Sequence, residues 1–236
     1  MVKKIEDMTG IIGALEEETS MLKKDMEIKN SCVIAGCEFV SGVLNGRDIV
    51  ITRCGMGKVN AAACTAAMIS SYSPDIIIST GVGGSLDDSI SVFDIMIATD
   101  VVQHDYDLAS LGYPPAQVDR FDSPYFVCDK KISNAIKKSA EQLGYTSHFA
   151  RFATGDRFID LPEDKNRLAE AFGARVCDME TGAIAQVCAL HGVRFAGIRT
   201  ISDSSSGESS AAQFQKFLSQ AAAHSVSIVE NVLKTW

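Results

Sequence analysis

The 236-residue sequence has no CxxC pair, no paired-histidine spacing among its four histidines, no Gly-Lys-Ser/Thr after a glycine-rich stretch and no G-x-S-x-G elbow. These absences exclude a zinc-finger or HExxH zinc site, a dithiol redox centre, a Walker-type phosphate cradle and the serine-hydrolase nucleophile. Positive charge is also scarce: Lys and Arg total 22 against 30 Asp and Glu, a net charge of −8. The basic footprint that nucleic acids or anionic membranes require is missing, so neither is an expected partner. No apolar run reaches membrane-spanning length, and the stretch from Ile11 to Leu15 is too short for a signal peptide and runs straight into Glu16-Glu17-Glu18. The seven cysteines are odd in number and lie mostly in apolar runs, where they serve as small hydrophobes. That usage fits a reducing cytoplasm.

What is present is enough apolar residue, 46% of the chain, to fill a large core, which rules out intrinsic disorder. Short apolar runs alternate with helical patterns throughout, with no linker, repeat or low-complexity stretch, so one domain over residues 1–236 is expected. Strands are expected at Thr9–Leu15, Cys32–Leu44 and Asp48–Cys54, the last two joined by the turn dipeptide Asn45-Gly46. The acidic EEETSMLKK reads as a helix, and GMGKVNAAACTAAMISSY as an alanine-rich helix that can pack close to a sheet. DIIIST is a buried strand with VGGSLDDSI as the loop after it, and DIMIATDVV is a further strand. Residues 104–124 hold three of the five prolines and form a long irregular segment of the kind that usually carries function. Beyond it come a helix at Lys130–Leu143, a strand at His148–Thr154, a helix at Pro162–Ala171 and a strand at Ala174–Asp178. A helix at Glu180–Leu190, a strand at Val193–Ser202 and a last helix at Ser209–Leu233 with an apolar stripe through Phe214 and Phe217 complete the chain. The fold class is therefore α/β, three layers with a central, mostly parallel mixed sheet covered by helices on both faces.

Open α/β sheets bind ligands beyond the carboxyl ends of their strands, and here those ends are acidic. Glu16, Glu17 and Glu18 follow the first strand, Asp105 and Asp107 follow DIMIATDVV, Asp156 follows FAT, Asp178 and Glu180 follow ARV, and Asp203 follows GIRTIS. Individually each has an ordinary explanation as a helix-opening charge or a turn cap. Gathered at one sheet edge they repel and raise one another's pKa values, a cost usually kept for function.

Taken in order, GIIGALEEE, SGVLNGRDIVITRCGMGKVNAA, PDIIISTGVGG, HDYD with Gly112-Tyr113, TGDRFI, DMET and RTISD make the chain resemble the bacterial 5′-methylthioadenosine/S-adenosylhomocysteine nucleosidases of the purine nucleoside phosphorylase-like superfamily. The resemblance runs from about Gly10 to the last helix. It implies a cofactor-free, metal-free hydrolase that splits the N-glycosidic bond of those two nucleosides into adenine and the thio-substituted ribose. Glu18 matches the base that activates water, and Asp203, beside Ser202, matches the acid that protonates adenine at N7. Met179 and Glu180 match the ribose contacts; Phe158 and Ile159 match the groups that stack on and read the purine. Met56 matches an apolar wall, Val82-Gly83-Gly84 the glycine-rich loop at the ligand, and Asp178 and Arg199 a supporting shell. Leu108, Leu111 and Tyr113 match the segment that caps the neighbouring subunit's pocket, so a homodimer is expected, as the apolar residues of 108–118 also suggest.

Breaking such a bond needs an acid on the leaving base and a carboxylate directing water to the sugar, so Asp203 must enter protonated and Glu18 ionised; a nearby carboxylate and a site closed from water are expected to keep the acid's proton on. Phosphorylases of the superfamily hold phosphate with arginines, one of them in the loop after the first strand, where this chain has Glu16-Glu17-Glu18. Water is therefore the expected nucleophile. Arg53 is expected to be solvated or structural. Val82 stands where the family usually has serine, Asp178 where it has glutamate, and Gln103 and Leu111 where it has aromatic residues. The 5′-substituent is thus the open variable, with an aminodeoxyfutalosine-type nucleosidase, a purine nucleoside phosphorylase and a non-catalytic nucleoside-binding domain as alternatives.

Overall fold

The computed structural model describes residues 8–206 and 209–235. Eleven strands are described: β1 (Thr9–Gly13), β2 (Glu27–Ile34), β3 (Cys37–Leu44), β4 (Arg47–Arg53), β5 (Ile76–Ser79), β6 (Val82–Ser85), β7 (Ile95–Gln103), β8 (Tyr125–Val127), β9 (Ser147–Thr154), β10 (Val176–Asp178) and β11 (Arg194–Asp203). The helices are α1 (Ser20–Lys24), α2 (Lys58–Tyr72), α3 (Lys130–Gln142), α4 (Pro162–Phe172), α5 (Thr181–His191) and α6 (Ser210–Thr235), with short 3-10 turns at Glu16–Glu18 and Ala109–Leu111. The sheet order is β2-β3-β4-β1-β5-β11-β6-β10-β9-β7-β8, with β11 also pairing to β7.

The centre is parallel: β1 lies between β4 and β5, and β5 is followed by the first half of β11. Farther along, β11 leaves β5 and pairs with β6 on one side and, antiparallel, with β7 on the other. Because β6-β10-β9-β7 also pair in turn, these strands close back on β11. Strand periodicity divides the core: Ile11 and Ile12, neighbours in β1, fall into opposite apolar clusters. Ile12 shares its cluster with Met68 of α2 and Ile184 of α5, Ile11 with Ile136 of α3 and Val229 of α6. That is the expected arrangement of a helical layer on each face.

The expected single strand at Cys32–Leu44 is two strands, β2 and β3, turned at Ala35-Gly36, where both φ angles are positive. β2 exposes almost all of its residues, so no apolar alternation marks it. The stretch expected to be wholly loop after DIIIST contains β6: a Cβ on Gly84 would press on Cys177 Sγ and Asp203 Oδ2, so the strand runs where side chains have no room. Tyr125–Val127, a three-residue edge strand, also lay inside a stretch with no pattern. Within the long segment, Ala116 and Val118 are buried in this chain's own core, whereas Leu111 and Tyr113 are exposed.

Candidate active site

Where β1 ends, the chain tightens into the 3-10 turn, and this turn carries Glu18 back beneath its own strand end. The backbone N–H groups of Ala14 and Leu15 donate to Glu18 Oε2 at 2.6 and 2.9 Å, and that of Val82 donates to Oε1 at 3.1 Å. Burial pushes this carboxyl above its ordinary range, against the opposing pull of the Arg199 charge and the three N–H donors. β6 approaches so closely that a Cβ on Gly81 would overlap the Glu18 carboxyl, so glycine is required there. Glu16 and Glu17 point outward, and the exposed Arg53 pairs with Glu16 at 3.7 Å, the solvated role expected for it.

Behind the pocket lies a buried ion pair. Arg199 Nη2 meets Asp178 Oδ2 at 2.7 Å and donates to Ser79 Oγ at 3.1 Å, while Nη1 donates to the Ile198 carbonyl at 2.9 Å. Asp178 also accepts from the hydroxyls of Thr154 and Thr181 and from the Thr181 N–H, so its shorter side chain is fully partnered. Glu180 stands at the N-terminus of α5 and accepts from the Gly57 N–H at 2.9 Å. Burial, reinforced by the Asp178 charge, pushes its carboxyl up to about 8.

Asp203, also on the pocket, terminates β11 and is almost fully buried. Ser202 Oγ donates to its Oδ1 at 2.9 Å, and Lys165 Nζ reaches its Oδ2 at 2.8 Å. The charged group touching Asp203 is an ammonium, brought by α4, which the expectation of a nearby carboxylate did not include.

Glu18, Asp178, Met179, Glu180, Ser202 and Asp203 line one cavity with Met56, Val82, Gly83, Gly84, Phe158 and Ile159, about 590 Å³ including the space open to solvent at its mouth. Arg199 stands behind it, through Asp178. Leu108, Leu111 and Tyr113 do not line it. Phe158 is 41% exposed at the mouth and meets Phe214 of α6 edge-on, ring centroids 5.7 Å apart. Phe214 and Lys165 had no site role in the sequence reading. Phe214 was visible only as part of an apolar stripe; Lys165 shares a helix face with Leu168 and Phe172, a spacing that could have marked it as inward-facing. Cys177 also lines the cavity, and burial pushes its thiol up to about 12, leaving it a neutral wall.

The remaining acidic strand ends are structural. Asp105 pairs with Lys58 Nζ at 2.6 Å and accepts from the Asp156 N–H, while Asp156 accepts from the Lys58 N–H at 2.7 Å. This triangle ties α2 to the turn that carries Phe158. Asp107 accepts from the Ala109 N–H. Among the described residues no three His, Cys, Asp or Glu side chains gather as a metal site.

Residues 9–234 match the family model of the phosphorylase superfamily. The chain belongs to that superfamily. Among curated superfamily relatives, the 5′-methylthioadenosine/S-adenosylhomocysteine nucleosidase of Shewanella halifaxensis (strain HAW-EB4) is 39% identical over 227 residues, 95% of this chain and 98% of the relative. The nucleosidase of the same name from Neisseria meningitidis, solved in complex with methylthio-immucillin-A, superimposes with a TM-score of 0.93 at 31% identity, covering 98% of this chain and 100% of that one. Futalosine hydrolase of Helicobacter pylori strain 26695 gives a TM-score of 0.92 at 26% identity, covering 99% and 100%. Within this superfamily frame the cations around the pocket are already engaged: Arg199 with Asp178, Lys165 with Asp203, and Arg157 with Asp164.

Proposed function

We propose that this protein hydrolyses 5′-methylthioadenosine and S-adenosylhomocysteine to adenine and the 5′-thio-substituted ribose, without cofactor or metal. The observation that carries the reading is a single cavity lined by both the Glu18 and the Asp203 carboxyl groups. Glu18 accepts from the Val82 N–H at the start of β6 and crowds Gly81 just before it, and Asp203 lies against Gly84. Two to three residues of extended chain separate the two contacts, about 7–10 Å, which leaves room for a nucleoside between them. In this reading Asp203 gives its proton to adenine N7, and the electrons of the C1′–N9 bond leave with the base. Glu18 takes a proton from water as the oxygen bonds to C1′. Glu180, at the α5 N-terminus, holds the ribose hydroxyls beside Met179. Phe158 stacks on the purine, Ile159 reads its edge through the backbone, and Met56 covers the sugar.

Water as the nucleophile is supported by the occupied arginines and the acidic turn after β1, since a phosphate dianion would meet carboxylates. The test is adenine release from a panel of nucleosides in phosphate-free buffer. Turnover of the two thionucleosides supports the reading; release only when phosphate is added supports a phosphorylase. Binding without any release over hours supports a binding domain. A second reading, hydrolysis of a futalosine-type nucleoside, is favoured by the Helicobacter pylori neighbour and by Val82 at the ligand loop. The same panel separates it.

We also propose a single catalytic domain working as a homodimer in a reducing cytoplasm. The unpaired cysteines support the compartment. Leu111, 72% exposed, and Tyr113 beside it support a partner surface, with the 108–113 segment capping the other copy's pocket. A monomeric mass in sedimentation would contradict the dimer.

A further inference from the structure

Lys165 belongs to a helix whose other charged residues face solvent or its surface, yet its side chain is buried completely. A buried ammonium is costly unless paired, and a buried ion pair is an inefficient way to stabilise a fold, since an apolar side chain of similar volume packs as well. α4 already packs through Leu168, which joins the apolar cluster of Cys177 and Ile159. The charge on Lys165 therefore calls for another explanation than packing. Its two contacts supply one: Nζ lies 2.8 Å from Asp203 Oδ2 and 2.5 Å from the Ser204 carbonyl. Ser204 is tied in turn to Gln213, one residue before the cavity-lining Phe214.

We propose that Lys165 is the positioning residue of the acid half of the site: it clamps Asp203 through Oδ2, leaves Oδ1 with Ser202 toward the cavity, and meets the charge that remains when the proton has passed to the purine. The ammonium does not line the cavity, so it acts through Asp203 and not on the nucleoside. In the free site Asp203 and Lys165 form an ion pair; with nucleoside bound Asp203 takes up a proton from solvent, and when that proton passes to N7 the carboxylate re-forms against a cation already in place. That charge is neutralised with no rearrangement, which is the condition for electrostatic help to reach the transition state. This inference rests on the nucleosidase reading above.

The test compares 5′-methylthioadenosine, whose base must be protonated to leave, with the 4-nitrophenyl glycoside of 5-methylthioribose, whose phenolate leaves without a proton. For Lys165→Met, kcat on the nucleoside is expected to fall about 100-fold or more, with KM and the phenolate rate within about threefold of wild type. Equal losses on both substrates would make the residue merely structural and overturn the inference, as would an unchanged nucleoside rate. If the single variant does not fold, the charge-balanced Lys165→Met/Asp203→Asn pair replaces it. Its nucleoside rate is expected to match that of Asp203→Asn alone, and an additive further loss would overturn the inference. Failure of the wild type to turn over either thionucleoside would instead defeat the nucleosidase reading, and the inference with it.

Discussion

The floor and the mouth of the pocket are built on opposite principles. On the floor, Glu18, Asp178, Arg199 and Asp203 are buried, and each is held by backbone N–H groups, hydroxyls or an opposite charge. At the mouth, Met56 is 59% exposed and Phe158 41% exposed, and both sit on turns. Buried polar networks tolerate no substitution that leaves a partner unsatisfied, whereas an exposed apolar side chain is exchanged at small cost. In the proposed reading, bond breaking falls to groups the fold cannot move, and contact with the purine and sugar to groups it barely constrains.

The largest expected break in this contrast comes from the carboxyl pair. Glu18→Gln and Asp203→Asn are each expected to lower kcat by about 10²–10⁴ while ligand binding persists. Steady-state rates with a calorimetric titration of the same variants check this; near-normal turnover in either removes that residue's assigned role. Next, Arg199→Met leaves Asp178 as a buried, uncompensated charge, with an expected loss of about 3–5 kcal/mol. Thermal unfolding checks it, and an unchanged Tm would mean that the pair is not part of the floor's support.

Glu180 gives a pH signature of the floor. Its folded pKa, about 8, lies above the ordinary 4.5, so the native state holds this proton more tightly than the unfolded chain does. Its contribution is fully present below pH 4.5 and is lost as pH rises through about 8. Ligand-free protein is expected to lose stability over that interval, and Glu180→Gln to flatten the loss. Denaturant titrations across the interval check it; a parallel pH dependence in the variant would contradict it. The smallest effects belong to the mouth. Phe158→Ala is expected to raise KM about tenfold with kcat nearly unchanged, and Leu111→Ala, in the segment proposed to cap the other copy's pocket, to shift only the ranking of 5′-substituents; steady-state kinetics on the nucleoside panel check both.

Legibility followed the same division. β1, β5, β7 and β11 stood out as apolar runs because they are buried on both sides. β6 was hidden because glycine supplies no side-chain signal, and β2 because nearly all of it faces water. The carboxylates of the floor were legible as a pattern of strand ends, and their assignment to roles came from ordered motifs. Lys165 was not legible as a partner, since its salt bridge joins positions 38 residues apart and only folding brings α4 against the end of β11. A pattern of acidic strand ends points to carboxylates near Asp203 and carries no sign of the ammonium that the fold sets against it.

In the proposed reaction the pocket floor delivers water, not phosphate, to the sugar. Phosphorus and proton NMR of 5′-methylthioadenosine turned over in phosphate buffer test it most directly. The account predicts free 5-methylthioribose and adenine with the inorganic phosphate signal unchanged, and a 5-methylthioribose 1-phosphate signal growing in step with adenine would contradict it.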